Sequence, residues 1–382
     1  MNSKETPKKI VILGSAHPLR GGGISTFNER LAKALQENGY DVEIFSFSLQ
    51  YPTLFFPGKS QFTNEPAPEN LTIYSIVNSV NPFNWLKIGK ILQKKAPDLI
   101  IVRYWTPFMS PCFGSILRKV KKNKHTKIIC IADNIIPHEK HFFDTALTKY
   151  FVKPIDMFLT MSKDVLTDVQ KMVTKPSFFT PHPLYDNYGE PLDRDVACDL
   201  LGLDKTQKYL LFFGFIRAYK GLDLLIEAFA DERLRKFPVK LIIAGEFYEN
   251  EKPYLDAIEK HNLKNDIILH TNFISNDNVK NYFCAADLIV QPYKSATQSG
   301  VTQIGYHFEK PMLVTDVGGL AEIIPHGKVG YVVAPNSNVI ADVLVDFLKN
   351  KTDFSKNIQE EKQKYTWDKI VLAIQSIYED SK

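Results

Sequence analysis

Two cations three residues apart, Arg217 and Lys220, stand in the segment Phe-Gly-Phe-Ile-Arg-Ala-Tyr-Lys-Gly (213–221), between an apolar run and a run of helical spacing. A forked guanidinium and a point-charge ammonium at a strand–helix junction suit a diphosphate; a solvated surface pair would have the same pattern. Earlier in the chain, Gly21, Gly22 and Gly23 close the loop 14–23. Three consecutive glycines let backbone N–H groups approach an anion at a helix N-terminus. The loop lacks the Gly-x-Gly-x-x-Gly spacing of a dinucleotide site and the Gly-Lys-Ser/Thr of a P-loop, which turns the reading away from hydride transfer and ATP hydrolysis. A third segment, Tyr293 to Gln303, puts Thr297, Gln298, Ser299, Gly300 and Val301 at a predicted helix start. Hydroxyls, an amide and open N–H groups there either hold phosphate and hydroxyls or cap the helix. Asp133 and His138 follow another strand end, as groups able to orient a hydroxyl, with His138 alternatively a structural imidazole hydrogen-bonded to a turn.

These residues need elements to hold them. Residues 9–14 (Lys-Ile-Val-Ile-Leu-Gly) suit a strand buried on both faces, and Ile24 to Asn38 carry apolar residues at helical spacing. A strand from Asp41 completes a βαβ unit. Strands at 71–76, 98–102, 127–132 and 157–162 follow, with helices at 84–95 and 116–122. The Pro-, Asp- and Gly-rich stretch 180–193 reads as a linker. Beyond it, strands at 209–213, 239–244, 267–270, 288–291 and 312–315 alternate with helices at 222–229, 254–261, 279–285, 301–308 and 339–349. The alternation predicts an α/β protein of two Rossmann-like, doubly wound parallel-sheet domains, residues 1–185 and 186–364, followed by an amphipathic segment 365–382. A ligand is expected in a central cleft that the two domains face.

Composition narrows the class. The 382 residues exceed what one core serves, and 44% hydrophobic with 24% charged residues is ordinary for a globular protein. A formal charge of +4 does not suggest a nucleic-acid binder. Cys112, Cys130, Cys198 and Cys284 are scattered, which fits reduced thiols, with Cys130 and Cys284 in the core, better than a disulfide frame or zinc site. No metal is expected. No run approaches the ~20 apolar residues of a membrane span and no secretory h-region opens the chain, so a cytoplasmic protein is expected. The basic run Arg118 to Lys124 is either a solvated helix end or a peripheral contact with anionic lipid on the inner face of the membrane. The apolar segment Tyr51 to Pro57 either touches membrane or acceptor or folds over the first domain.

In order along the chain, these segments resemble the GT-B glycosyltransferases, most closely the retaining transferases of family 4. The resemblance rests on Gly21 to Gly23, the segment 213–221, Ile-Ile-Ala-Gly-Glu (242–246), Ala-Ala-Asp-Leu (285–288), Pro-Met-Leu-Val-Thr-Asp-Val-Gly-Gly-Leu-Ala-Glu (311–322) and Tyr-Thr-Trp-Asp (365–368). It implies a nucleotide-diphosphate sugar, UDP- or GDP-linked, as donor substrate with no further cofactor, and a glycan or lipid-linked acceptor, as in polysaccharide or glycolipid synthesis. It also implies that the last helix crosses back to the first domain. Carried over by position, Arg217 and Lys220 meet the donor diphosphate and Gly22 and Gly23 approach it from the first domain. Gly214 binds the donor, Gly245 and Glu246 lie beside the nucleoside, with Ile274 near the base; Asp133 aligns with a family histidine, and His138 follows five residues on. One departure stands out: the two glutamates that the family carries eight residues apart fall at Ala296 and Ile304. The variant Ser-Ala-Thr-Gln-Ser-Gly-Val loop then assigns Thr297, Gln298, Ser299, Gly300 and Val301 to the donor and Gln303 to the ribose. Retention is attributed in this fold to the donor phosphate assisting the acceptor hydroxyl, so no protein base is named. Two rivals remain, an epimerase of the same tandem fold and a non-catalytic binding paralogue; donor consumption with and without acceptor separates them.

Overall fold

A run such as Ile10-Val11-Ile12-Leu13, apolar at every position, suits a sheet covered by helices on both faces, and all four residues are buried in such a sheet. The computed structural model describes residues 9–52, 60–136, 142–296, 298–350 and 352–380. The chain divides into two compact units, Met1–Pro183 with Tyr365–Lys382, and Leu184–Lys364.

In the first unit β1 (Lys9–Leu13), β2 (Asp41–Leu49), β3 (Thr72–Asn78), β4 (Leu99–Tyr104), β5 (Lys127–Ala132), β6 (Met157–Thr160) and β7 (Ser177–Phe179) form a parallel sheet of order β3-β2-β1-β4-β5-β6-β7. β1 and β4 are neighbours, so the chain reverses its progress across the sheet between them, which makes a topological switch point. Helix Ile24–Glu37 leaves β1, and helix Trp367–Asp380 packs beside it with the Trp367 ring 5.2 Å from that of Phe27. Crossover connections send helices Pro82–Lys95, Ser110–Val120 and Asp144–Val152 to the opposite face, where they lie side by side. Phe47, Phe113, Phe151 and Phe158 fill the core of this unit.

The second unit repeats the plan with β8 (Lys208–Phe213), β9 (Val239–Ala244), β10 (Ile267–His270), β11 (Leu288–Gln291), β12 (Met312–Thr315) and β13 (Gly330–Val333), all parallel, in the order β10-β9-β8-β11-β12-β13. Its switch point lies between β8 and β11. Leu210, Phe212, Leu241, Ile243 and Val290 make the core on which helices Leu222–Phe229 and Ser337–Asn350 rest.

Several elements differ from expectation. The helix placed at 116–122 runs from Ser110 to Val120, because Pro111 at its first turn and Cys112, Phe113 and Gly114 extend the buried face toward its start. β7, β13 and helices Asp144–Val152, Lys163–Met172, Arg194–Leu201 and Ser355–Lys362 were not anticipated. These are short, and Ser355–Lys362 is too polar for periodicity to reveal. All four cysteines are buried free thiols. No helix among the described residues is long and apolar enough to cross a membrane.

Candidate active site

The second unit builds its site where β8 and β9 end. Past the last ladder residues, Gly214 N–H donates to Ala244 O (2.9 Å) and Gly245 N–H to His270 O (2.9 Å). A Cβ at Gly245 would lie 2.2 Å from Gly214 O, so two main chains touch here and no larger residue fits. The result is a floor of bare backbone at the carboxyl ends of the strands. The chain then makes a single 3₁₀ turn, Ala218–Lys220, ending at Gly221. A Cβ at Gly221 would sit 2.0 Å from Pro292 O, so this turn is pressed against the end of β11 across the switch point.

That contact sets the position of Lys220. Its side chain, only 9% exposed, brings Nζ to 5.7 Å from the centre of the Tyr293 ring and over Gly214, where a Cβ would be 3.2 Å away. No carboxylate among the described residues pairs with it, whereas the nearby Lys294 is engaged with Asp223 at 2.6 Å. Burial, and then the charge of Arg217, bring the Lys220 pKa down to about 8. Arg217 is exposed, its guanidinium 5.2 Å above the Tyr248 ring. A buried cation with an exposed one beside it makes a positive site, and an anion held there would offset the cost of burying the charge.

The facing wall follows β11. Tyr293 is buried with its hydroxyl 3.2 Å from Ser299 Oγ, and Thr315 Oγ1 donates to its carbonyl at 2.5 Å. Helix Gly300–His307 starts there with no side chain capping its first turn, and Val301 Cγ2 lies 3.8 Å from the position of a Cβ on Gly214. Open N–H groups at a helix start favour an anion. Gln298 Nε2, Gln291 Nε2 and both amide atoms of Gln303 are buried without a hydrogen-bond partner, and Gln291 Oε1 accepts from Thr302 Oγ1 at 3.2 Å. Glu246 is buried beside Gly245 and its carbonyl accepts from Ile216 N–H (2.9 Å). Ile274 is half-buried in the turn after β10, one strand further out, and Thr297 lies outside the described residues.

In the first unit the glycine loop is tied down internally. Gly22 N–H donates to Thr26 Oγ1 (2.9 Å), Asn28 Nδ2 donates to Ser15 O (2.9 Å), and Glu29 accepts from His17 N–H (2.7 Å). A phosphate reaching Gly22 N–H must replace Thr26, while a Cβ on Gly23 would meet nothing within 4 Å. Asp133 is held by Arg103 in a two-point pair, Nε to Oδ2 at 2.6 Å and Nη2 to Oδ1 at 2.9 Å. Its carboxylate is therefore committed to positioning Arg103, whose guanidinium lies 3.9 Å over the Phe27 ring. His138 and residues 53–57 of the apolar segment lie outside the described residues. Burial raises the Glu29 carboxyl pKa to about 7, and His182, buried near Phe27 and Arg103, is driven down to about 3 and stays neutral.

Residues 197–365 match the family described as glycosyl transferases group 1, and residues 21–177 match glycosyltransferase family 4. The chain is built from the two domains of a GT-B glycosyltransferase. Among its relatives are an uncharacterized glycosyltransferase of Methanocaldococcus jannaschii, 25% identical over 78% of this chain and 80% of that protein, and an O-antigen chain mannosyltransferase C of Escherichia coli, 21% identical over 95% of each. Solved structures of the same fold include sucrose-phosphate synthase from Thermosynechococcus elongatus (TM-score 0.76, 16% identity, 97% of this chain and 98% of that one). Another is the Anabaena protein HepE in complex with UDP (TM-score 0.71, 14% identity, 97% and 99%).

The glycosyltransferase thus brings Gly214, Lys220, Gly245, Ser299 and Val301 together around the β8–β11 switch point, with Arg217 at its edge. Sequence reasoning passed over Tyr293, which lines Lys220 and anchors Ser299, and Arg103, which organises Asp133. Arg103 carried a signal: it is the one charged residue in the otherwise apolar strand Leu-Ile-Ile-Val-Arg-Tyr, and a charge in a buried strand requires a partner.

Proposed function

We propose that this glycosyltransferase moves a hexose, with retention at the anomeric carbon, from a UDP- or GDP-linked donor to a glycan or lipid-linked acceptor. The observation that carries the reading is the buried Lys220 ammonium, without a carboxylate partner, set beside Arg217 and the uncapped helix start at Gly300. In transfer, the acceptor oxygen bonds to the anomeric carbon as the bond from that carbon to the diphosphate breaks. The acceptor proton passes to the leaving phosphate oxygen on the same face. Lys220 and Arg217 neutralise the charge that grows on the diphosphate, the contribution that matters most in a preorganised site. These cations supply the charge a divalent ion would otherwise bring, so transfer is expected to persist in a chelator. Gly245, Glu246 and Ile274 are assigned to the nucleoside and Thr297, Gln298 and Ser299 to the sugar and diphosphate. Support for a diphosphate donor comes from HepE, whose structures hold UDP and UDP-glucose, and support for transfer over epimerisation comes from the named relatives.

The test is a thermal-shift panel of UDP, GDP, ADP and TDP, then the matching sugar nucleotides with candidate acceptors. A ligand present at ~100 times its Kd stabilises the folded form by about 2.7 kcal/mol. A base-selective shift that Arg217→Ala with Lys220→Ala removes is the expected result. No shift with any diphosphate, in folded protein, would turn the reading to a non-catalytic paralogue.

A further inference from the structure

Helix Pro82–Lys95 covers the first sheet with Ile88, Gly89 and Leu92, which are buried. Its opposite side presents Phe83, Leu86, Lys87, Lys90, Ile91 and Lys94, all exposed, at the spacing of a single helical stripe. Phe83 is 84% exposed. The fourteen residues of the helix contain no acid, although an ordinary solvated face mixes both signs and favours acids in its first turn. The neighbouring segment Ser110–Lys124 contains none either, and adds Lys119, Lys122 and Lys124, which form no ion pair among the described residues, while Lys95 and Lys121 pair with Glu43 and Asp156. The two segments together hold nine of the chain's 47 Lys and Arg and none of its 43 acids. At the third helix of the layer, Phe142 and Phe143 are 93% and 68% exposed. In a parallel sheet each helix begins beside the carboxyl end of its preceding strand, so Phe83, Phe142 and Phe143 stand on the same rim.

We infer that this helical layer is a docking surface for an anionic lipid bilayer, with helix Pro82–Lys95 lying in the plane of the headgroups. Phe83, Leu86 and Ile91 enter the interface; Lys87, Lys90 and Lys94 extend to the phosphates. Apolar side chains interleaved with lysines on one face, with no acids, match an anionic interface in both chemistry and charge. A two-fold contact between copies would set lysine against lysine, and a nucleic acid would leave the aliphatic anchors without a partner. The inference deepens the acceptor half of the proposed function and rests on a lipid-linked acceptor, which would be presented at this rim. The basic run Arg118 to Lys124 is then one flank of the surface, while Arg118 itself is occupied with Gly114 O and Tyr150 O.

The test is flotation of the full chain with vesicles of phosphatidylglycerol and phosphatidylcholine against phosphatidylcholine alone, in low and high salt. Expected are capture by the anionic vesicles only, release in high salt, and at least about tenfold weaker partition for Phe83→Ser/Leu86→Ser/Ile91→Ser and for Lys87→Glu/Lys90→Glu/Lys94→Glu. Both variants change exposed residues and are expected to keep the melting temperature and nucleotide-diphosphate affinity. Equal capture by neutral vesicles, no capture by anionic ones, or wild-type capture of both variants overturns the surface. So does binding of duplex DNA through the three lysines, or a dimer lost in the serine variant, when vesicles are not bound. Nucleotide affinity measured on the same samples keeps the two readings apart: vesicle failure with intact diphosphate binding refutes the surface and leaves the donor site standing.

Discussion

Replacing Lys220 by Met should make the protein more stable and a poorer donor binder at the same time. In the unfolded chain the amine titrates near 10.5; in the folded one it titrates near 8, chiefly because it is buried. The folded state therefore binds fewer protons than the unfolded one between those values, and stability rises with pH through that window. Below pH 8 the full penalty of holding the buried charge persists, about 3 kcal/mol. Methionine removes it while keeping the stem, so at pH 7 the second unit should melt roughly 5 to 10 °C higher. Binding moves the other way. A charge-assisted hydrogen bond to the diphosphate is worth about 1.5–3 kcal/mol, so affinity should fall roughly 10- to 100-fold. The pH dependence separates this from loss of packing. A sugar nucleotide keeps its diphosphate charge over the whole range, so wild-type affinity should be flat below pH 8 and fall about tenfold per unit above it, while the variant shows no slope. Calorimetry between pH 6.5 and 9 with paired melting curves measures both. A variant that melts lower than wild type, or that keeps the alkaline slope, would refute the claim that an uncompensated buried cation makes the site.

Three other perturbations are exposed to test. Gly245→Ala places a Cβ 2.2 Å from Gly214 O at a φ of 146°, so it should cost more than about 2 kcal/mol and abolish donor binding, read by denaturant melts and calorimetry. Burial raises the Glu29 carboxyl from about 4.5 in the unfolded chain to about 7 in the folded one, so stability falls as pH rises from 4.5 to 7; Glu29→Gln should be the more stable protein at pH 8, by an amount on the order of 2 kcal/mol that shrinks toward zero near pH 4.5. Gln303→Leu tests the ribose assignment directly: unchanged donor affinity with a higher melting temperature would mean that its unpartnered amide never meets the donor, whereas weaker binding would support the contact.

How much of this was legible in the sequence depends on the kind of signal. Both sheets could be read because short apolar β-branched runs such as 127–132 and 239–244 recur between helical spacings, and those two strands fall on the expected residues. Edge strands β7 and β13 are three and four residues long with partly exposed faces, so their pattern is too weak to separate from a loop. The cations at 217 and 220 were visible by type and spacing, but not that one is buried and the other exposed, which is set by the contact of Gly221 with Pro292 O, seventy-one residues away in sequence. The same limit applies to Asp133. Its place after a strand end suggested a group that orients a hydroxyl, and only the parallel register of β4 and β5 reveals that Arg103, thirty residues earlier, occupies it.

The two sheets handle a buried cation in opposite ways, and the contrast separates their roles. Arg103, on the switch-point strand β4 and 4% exposed, has its charge cancelled by a two-point contact with Asp133. Removing either partner would strand the other, so this pair fixes a wall of the first unit and has little attraction left for an anion. Lys220, at the equivalent switch point of the second unit, has an aromatic ring and bare backbone for neighbours, and no carboxylate among the described residues pairs with it. The attraction withheld from the protein's own acids remains available to a ligand, and a diphosphate arriving there restores electroneutrality as it binds. Under the proposed function, the anionic end of the donor is therefore assigned to the second unit. The first unit, with its buried charge closed and His182 held neutral, is on the same proposal expected to recognise the acceptor by hydrogen bonds and apolar contact.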